Sequence, residues 1–195
     1  MYWNLLATDG EDGFSQAELD AMGAQKGAEL YQAFEDAAAR GVKFRFLQDG
    51  VEEECPDELK NLLDKYPNTV SARFWEATDW YDGGIMHMKV SRHPISDAVR
   101  LSSTWWLTNC CSLDLQLWVV DSKHVYVGSA NMDWLSLTQV KELGILTTDS
   151  HAVAADTQAY FDQWWKWASP SITAKLSAYF NPEFQATLTV PCFST

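Results

Sequence analysis

Seven residues of this 195-residue sequence have types and spacings that could serve one reaction. They run as His87-Met88-Lys89, then Asp121, then Gly128-Ser129-Ala130-Asn131, then Glu142. Together they supply an imidazole, an ammonium, a neutral amide, two carboxylates and a glycine-serine pair. Displacement at the phosphorus of a phosphodiester draws on such groups: a nucleophile, an acid for the departing oxygen, and cations or N–H donors around the non-bridging oxygens. A neutral imidazole can itself attack phosphorus and carry the phosphoryl group until water or an alcohol removes it. A lone histidine on a strand is ordinarily a half-exposed or locally satisfied side chain. The joint order carries the signal, and no single residue does.

The rest of the sequence bounds what can hold these groups. Lys and Arg number 14 against 27 Asp and Glu, a formal net charge of −13, and 47% of residues are hydrophobic. That balance excludes intrinsic disorder and fits one globular domain. It disfavours tight tracking of a long polyanion, which takes many Lys and Arg contacts. The ten Trp require a sizeable core or cleft. Cys55, Cys110, Cys111 and Cys192 make no disulfide framework, and no C-x-x-C spacing with histidine partners suggests zinc. Glu52-Glu53-Glu54 reads as a solvated turn. There is no run of 18 apolar residues and no signal-peptide pattern.

The elements that must position the seven residues follow from periodicity. Tyr2 to Ala7 is strand-like and ends at the polar turn Asp9–Gly13. Ser15 with Glu18 is a capping box, which opens a helix carrying Leu30, Phe34 and Ala37 on one face and ending at Gly41. Val42 to Leu47 alternates as a half-buried strand. Pro56 to Tyr66 is a short helix with Leu59, Leu62 and Leu63 inward, and Val70 to Trp75 a further strand. Short β segments follow at Ile85–Lys89, Leu117–Val120, Val125–Val127 and Gly144–Leu146. His151 to Trp167 returns to helical spacing, with His151 at its start and Trp164, Trp165 and Trp167 as core or an inter-domain face. His124 is expected to face solvent. The order of elements indicates an α/β domain with a mixed β-sheet flanked by helices.

The spacing His87-x-Lys89, Asp121, Gly128-Ser129-x-Asn131 resembles the H-x-K-x4-D-x6-G-S-x-N signature of the phospholipase D superfamily, with Glu142 where that family has a downstream glutamate. The wording from Trp118 to Gly144 is similar to the branch containing the animal endolysosomal type-II membrane members, as is Tyr2-Trp3-Asn4-Leu5 to that branch's first strand. Leu135 stands where the branch usually has arginine. The resemblance spans roughly Tyr2 to Trp167, the amino-terminal half of a full-length member.

The resemblance implies one half of a two-motif architecture, built without metal or cofactor. In it His87 is the nucleophile, or the acid if the other half supplies the nucleophile. Lys89 holds a phosphate oxygen as a point charge and Asn131 donates to another. Glu142 accepts the remaining N–H of His87 and fixes its tautomer. Gly128 and Ser129 bring backbone near the phosphate, glycine tolerating strained dihedrals there. Asp121 is structural. The implied substrate is a phosphodiester, either of a phospholipid or at a single-stranded nucleic-acid end. The implied partner is a second H-x-K half, in cis in the full-length protein or in trans as a homodimer. An endolysosomal or endoplasmic-reticulum setting is likewise implied, with the anchor outside residues 1–195.

One interval departs from the signature. Lys89 and Asp121 are separated by 31 residues instead of four. Removing the 27 residues Val90 to Gln116 joins Lys89 to Leu117 and restores the gap. Val90-Ser91 can be encoded as a splice-donor-like GTGAGT and Gln116 as CAG, so the stretch reads as an in-frame retained intron or a gene-model error. A genuine surface insertion is the alternative, although long loops without structure of their own are uncommon in compact domains. The expected organisation is a half-domain over residues 1–168, with 90–116 as an excursion poorly integrated with the core, and a weakly patterned tail over 169–195.

Overall fold

The structure is a computed structural model that describes residues 3–76, 88–92 and 115–171. The strands are β1 (Trp3–Asn4), β2 (Phe44–Asp49), β3 (Val70–Trp75), β4 (Met88–Arg92), β5 (Leu115–Val120), β6 (His124–Gly128), β7 (Met132–Asp133) and β8 (Gly144–Thr147). The helices are α1 (Gln16–Met22), α2 (Gln25–Ala39), α3 (Asp57–Lys65), α4 (Trp134–Thr138) and α5 (His151–Trp167). Six strands form the main sheet in the order β3-β2-β4-β5-β6-β8, and β1 pairs with β7 in a small parallel ladder. The result is the mixed α/β architecture expected, a sheet flanked by helices.

Both faces of the sheet are covered, and alternation along each strand decides which side chain goes where. Leu47, Leu117, Val119 and Val125 point to the face under α5, where they meet Ala154 and Phe161. Phe46 and Trp118 point to the other face and pack with Tyr31 and Phe34 of α2, Leu59 and Leu62 of α3, and Trp3. The tryptophans of α5 are core-facing as expected: Trp164 meets Trp75 edge-on at 4.9 Å, and the Arg73 guanidinium lies 4.6 Å from the Trp165 ring. The segment after β1 is tied to α3, because the Glu58 carboxylate accepts from the backbone N–H of Leu5 at 3.0 Å and of Leu6 at 2.7 Å.

Two expectations are corrected. The capping box at Ser15 and Glu18 starts a helix, but the helix divides at Gly23, whose φ of 80° closes α1 before α2 begins. The stretch 90–116 is also not wholly an excursion. Val90, Ser91 and Arg92 pair antiparallel with Leu47, Phe46 and Arg45 of β2, while Leu115 and Gln116 open β5. The physical reason is hydrogen-bond demand: β2 in mid-sheet needs a partner on each side, and any extended segment that reaches it satisfies the ladder. Among the described residues, no helix is long and apolar enough to cross a membrane.

Candidate active site

A single row of backbone partners crosses four strands at one end of the sheet. Lys89 is in register with Gln116, Gln116 with Gly128, and Gly128 with Gly144. Ser129 and Asn131 follow Gly128 in the chain and Glu142 precedes Gly144, so the row gathers most of the sequence-predicted residues at one place. Ser129 and Glu142 are in direct contact, the serine hydroxyl donating to the glutamate carboxylate. Ser129 is held further by the ladder, its N–H donating to the Leu143 carbonyl at 3.1 Å and its Oγ accepting from the Leu143 N–H at 3.1 Å. Glu142 therefore has a hydrogen-bond partner that sequence reasoning did not foresee.

The neighbour of Asn131 across this end is Gln116. Its Nε2 donates to Asn131 Oδ1 at 3.5 Å, a long and therefore weak contact. Gln116 is 1% exposed, and its Oε1 has no hydrogen-bond partner among the described residues. A second buried glutamine, Gln48 of β2, accepts from the Trp3 indole N–H at 3.4 Å. Continuing the β2–β4 register one residue past Leu47 and Val90 sets Gln48 alongside Lys89. Polar groups thus border the row on a face otherwise lined by Trp3, Phe46 and Trp118.

Gly128 serves a different purpose from the one expected. Its φ is not positive, and it closes β6 as an extended residue. A Cβ at Gly128 or at Gly144 would collide with the Tyr126 phenol, so the two glycines leave room for that ring to lie across the row. Tyr126 was not singled out in the sequence; its place two residues before Gly128 in a strand, hence on the same face, was the available signal. Past Asn131, Met132 and Asp133 pair with Trp3 and Asn4. Asp133 then caps α4, accepting from the Ser136 N–H and hydroxyl at 2.8 Å each. The Asn131 segment is therefore anchored directly downstream.

The remaining candidates separate cleanly. Asp121 lies five residues along β5 from Gln116, about 16 Å at the rise of a strand, at the opposite end of the sheet. There Asp121 and Ser122, both at φ 53°, turn the β5–β6 hairpin. His124 is half-buried near this turn, its Nδ1 accepting from the Asp149 N–H at 3.2 Å, so it is less solvent-facing than expected. His151 begins α5 as expected. Leu135 packs beside Leu19, Ala24 and Trp134 in a small core of its own. Glu52–Glu54 is a single 3-10 turn, and among the described residues no group of His, Cys, Asp and Glu could hold a metal ion. Lys89 is placed by its backbone register, and His87 lies outside the described residues.

Comparison with known proteins gives this arrangement a context. Residues 87–175 match the family model described as "PLD3/4, PLD-like domain". The chain is 31% identical over 164 residues to "Phospholipase D Z" of Dictyostelium discoideum, covering 84% of this chain and 31% of that protein. It is 30% identical over 164 residues to "5'-3' exonuclease PLD3" of Rattus norvegicus, covering 84% of this chain and 26% of that protein. A shorter match, 51% identical over 53 residues, covers 27% of this chain and 12% of the "Virion nicking-joining enzyme" of Monkeypox virus. The chain thus spans 31% or less of the length of these relatives.

Proposed function

Because this chain belongs to the phospholipase D superfamily, we propose that it is the phosphodiester-handling half of a phosphodiesterase that works through a phosphohistidine. His87 attacks phosphorus, the bond from phosphorus to the departing oxygen breaks, and that oxygen takes a proton. Water then attacks the phosphohistidine, releases the phosphomonoester and leaves the imidazole free. Lys89 and the Asn131 amide hold the non-bridging oxygens, which gain charge in the transition state. Glu142 orients the imidazole, with Ser129 as its own support. The second imidazole that protonates the departing oxygen comes from another H-x-K half, in cis in a longer protein or from a second copy. No metal or cofactor enters the reaction.

The observation that carries this reading is the row itself, which brings the Gly128-Ser129-x-Asn131 loop and Glu142 to one end of the sheet beside the register position of Lys89. Phospholipid and single-stranded nucleic-acid ends share the reacting group, and the relatives' names include both a phospholipase D and a 5'-3' exonuclease. A net charge of −13 favours a substrate gripped at one phosphate over one tracked along its length. The same reading puts the full-length protein in an endolysosomal or endoplasmic-reticulum setting.

The test is hydrolysis of bis(p-nitrophenyl) phosphate by the full chain beside His87→Ala and Lys89→Ala. Slow turnover that both substitutions abolish supports the proposal. Equal rates for all three remove catalysis from this chain and leave a second reading, a homologue that keeps the fold and only binds a partner. One observation favours that second reading: an uncharged amide, that of Gln116, is in contact with Asn131.

A further inference from the structure

The main sheet contains two strands with equal title to one position. β4 runs antiparallel to β2, β5 runs parallel to β4, and β6 runs antiparallel to β5. With β4 taken out, β5 already has the direction needed to pair with both β2 and β6. The registers agree as well. Leu47 pairs with Val90 and Val90 with Leu117, while Phe46 pairs with Ser91 and Ser91 with Trp118. Closing the gap would set Leu47 beside Leu117 and Phe46 beside Trp118. Leu47 and Leu117 already share one core and Phe46 and Trp118 the other, so no side chain would change face.

Chain arithmetic then assigns a residue to the polar end. Gln116 directly precedes Leu117 in β5, and removal of 90–116 makes Lys89 directly precede Leu117. Lys89 would inherit the backbone position of Gln116, opposite Gly128 and beside Asn131. The present occupant fits poorly: a buried amide with a long contact through Nε2 and a carbonyl that nothing among the described residues satisfies. A lysine carries donors only, so it could keep the contact to Asn131 Oδ1 without stranding an acceptor, and it would add the positive charge an oxyanion requires.

We propose that the end of the sheet at Ser129 and Asn131 is an oxyanion site in which Gln116 stands in for Lys89. The pairing of Val90, Ser91 and Arg92 with β2 holds the chain in this low-affinity arrangement, with the Lys89 backbone one strand spacing from the Gln116 position. The inference rests on the phosphodiester reading above but concerns binding, which can be measured without turnover.

The experiment titrates inorganic phosphate into the full chain, into the chain lacking 90–116, and into the full chain carrying Gln116→Lys, following the Asn131 side-chain amide by NMR. The shortened chain is expected to fold and to bind phosphate at least tenfold more tightly than the full chain, a gain that Lys89→Ala in the shortened chain removes. Gln116→Lys is expected to recover part of the gain and Gln116→Ala none. Unfolding of the shortened chain, unchanged phosphate affinity, or a gain indifferent to Lys89→Ala overturns the inference. Tighter phosphate binding with no hydrolysis by any variant would leave the inference standing and sink the catalytic reading. Hydrolysis that depends on His87 in the full chain, without tighter phosphate binding on shortening, would do the reverse.

Discussion

Two parallel strand pairs lie side by side in the main sheet, β2 with β3 and β4 with β5, and they are built on different terms. β2 and β3 are joined through α3, whose Leu59 and Leu62 are both fully buried against the face they cross. That is a helical crossover of the kind parallel neighbours need, and each strand adds new residues to the core. β4 and β5 are consecutive in the order of described strands, and each offers the sheet the same direction and the same register. The first pair extends the sheet, and the second repeats a strand. Register fixes the hydrogen bonds of a strand without fixing the identity of the side chain it delivers to a site.

The largest consequence of this contrast lies in the first pair. Leu62→Ala empties part of the packing under α3 and is expected to lower unfolding free energy by about 2–5 kcal/mol in denaturant titration. Excision of 90–116 should cost less than that; a greater loss would mean that β4 is integral and not a repeat. Next comes the anchor beside the site: Asp133→Ala removes the buried cap of α4 and should cost about 1–2 kcal/mol, read as a lowered thermal midpoint. Gln116→Met has the opposite sign, because it deletes a buried carbonyl that has no hydrogen-bond partner among the described residues, and is expected to raise stability by about 1 kcal/mol. The smallest effect is kinetic. Burial pushes the Cys55 thiol up, so labelling at neutral pH should be slow and should accelerate as pH rises and the thiolate fills. Because Cys55 adjoins Pro56 at the entry to α3, fast labelling at neutral pH would reveal opening of the crossover itself.

Much of this architecture could be read from the residues. The capping box at Ser15, the Pro56-to-Pro67 frame around α3 and the alternation in β2 each specify an element locally, so each appears where expected. The break at Gly23 was missed because the apolar face of α2 continues the helical rhythm across a residue whose left-handed backbone stops it. β7 spans two residues and α4 five, too short for periodicity to register. For the site, order and spacing brought out Gly128, Ser129, Asn131 and Glu142, which the fold gathers at one end. Gln116 could not be found that way. Its place beside Asn131 arises from cross-strand register, which no local pattern encodes.

The most direct test of the account is the rate of bis(p-nitrophenyl) phosphate hydrolysis by the chain lacking 90–116, relative to the full chain and to the shortened chain with Lys89→Ala. Moving the backbone position that carries a cation by one strand spacing, about 4.8 Å, is a large change on the scale that catalysis tolerates. The shortened chain is expected to be faster by at least tenfold, and the Lys89→Ala substitution to erase the gain. A shortened, folded chain that is no faster than the full chain would contradict it.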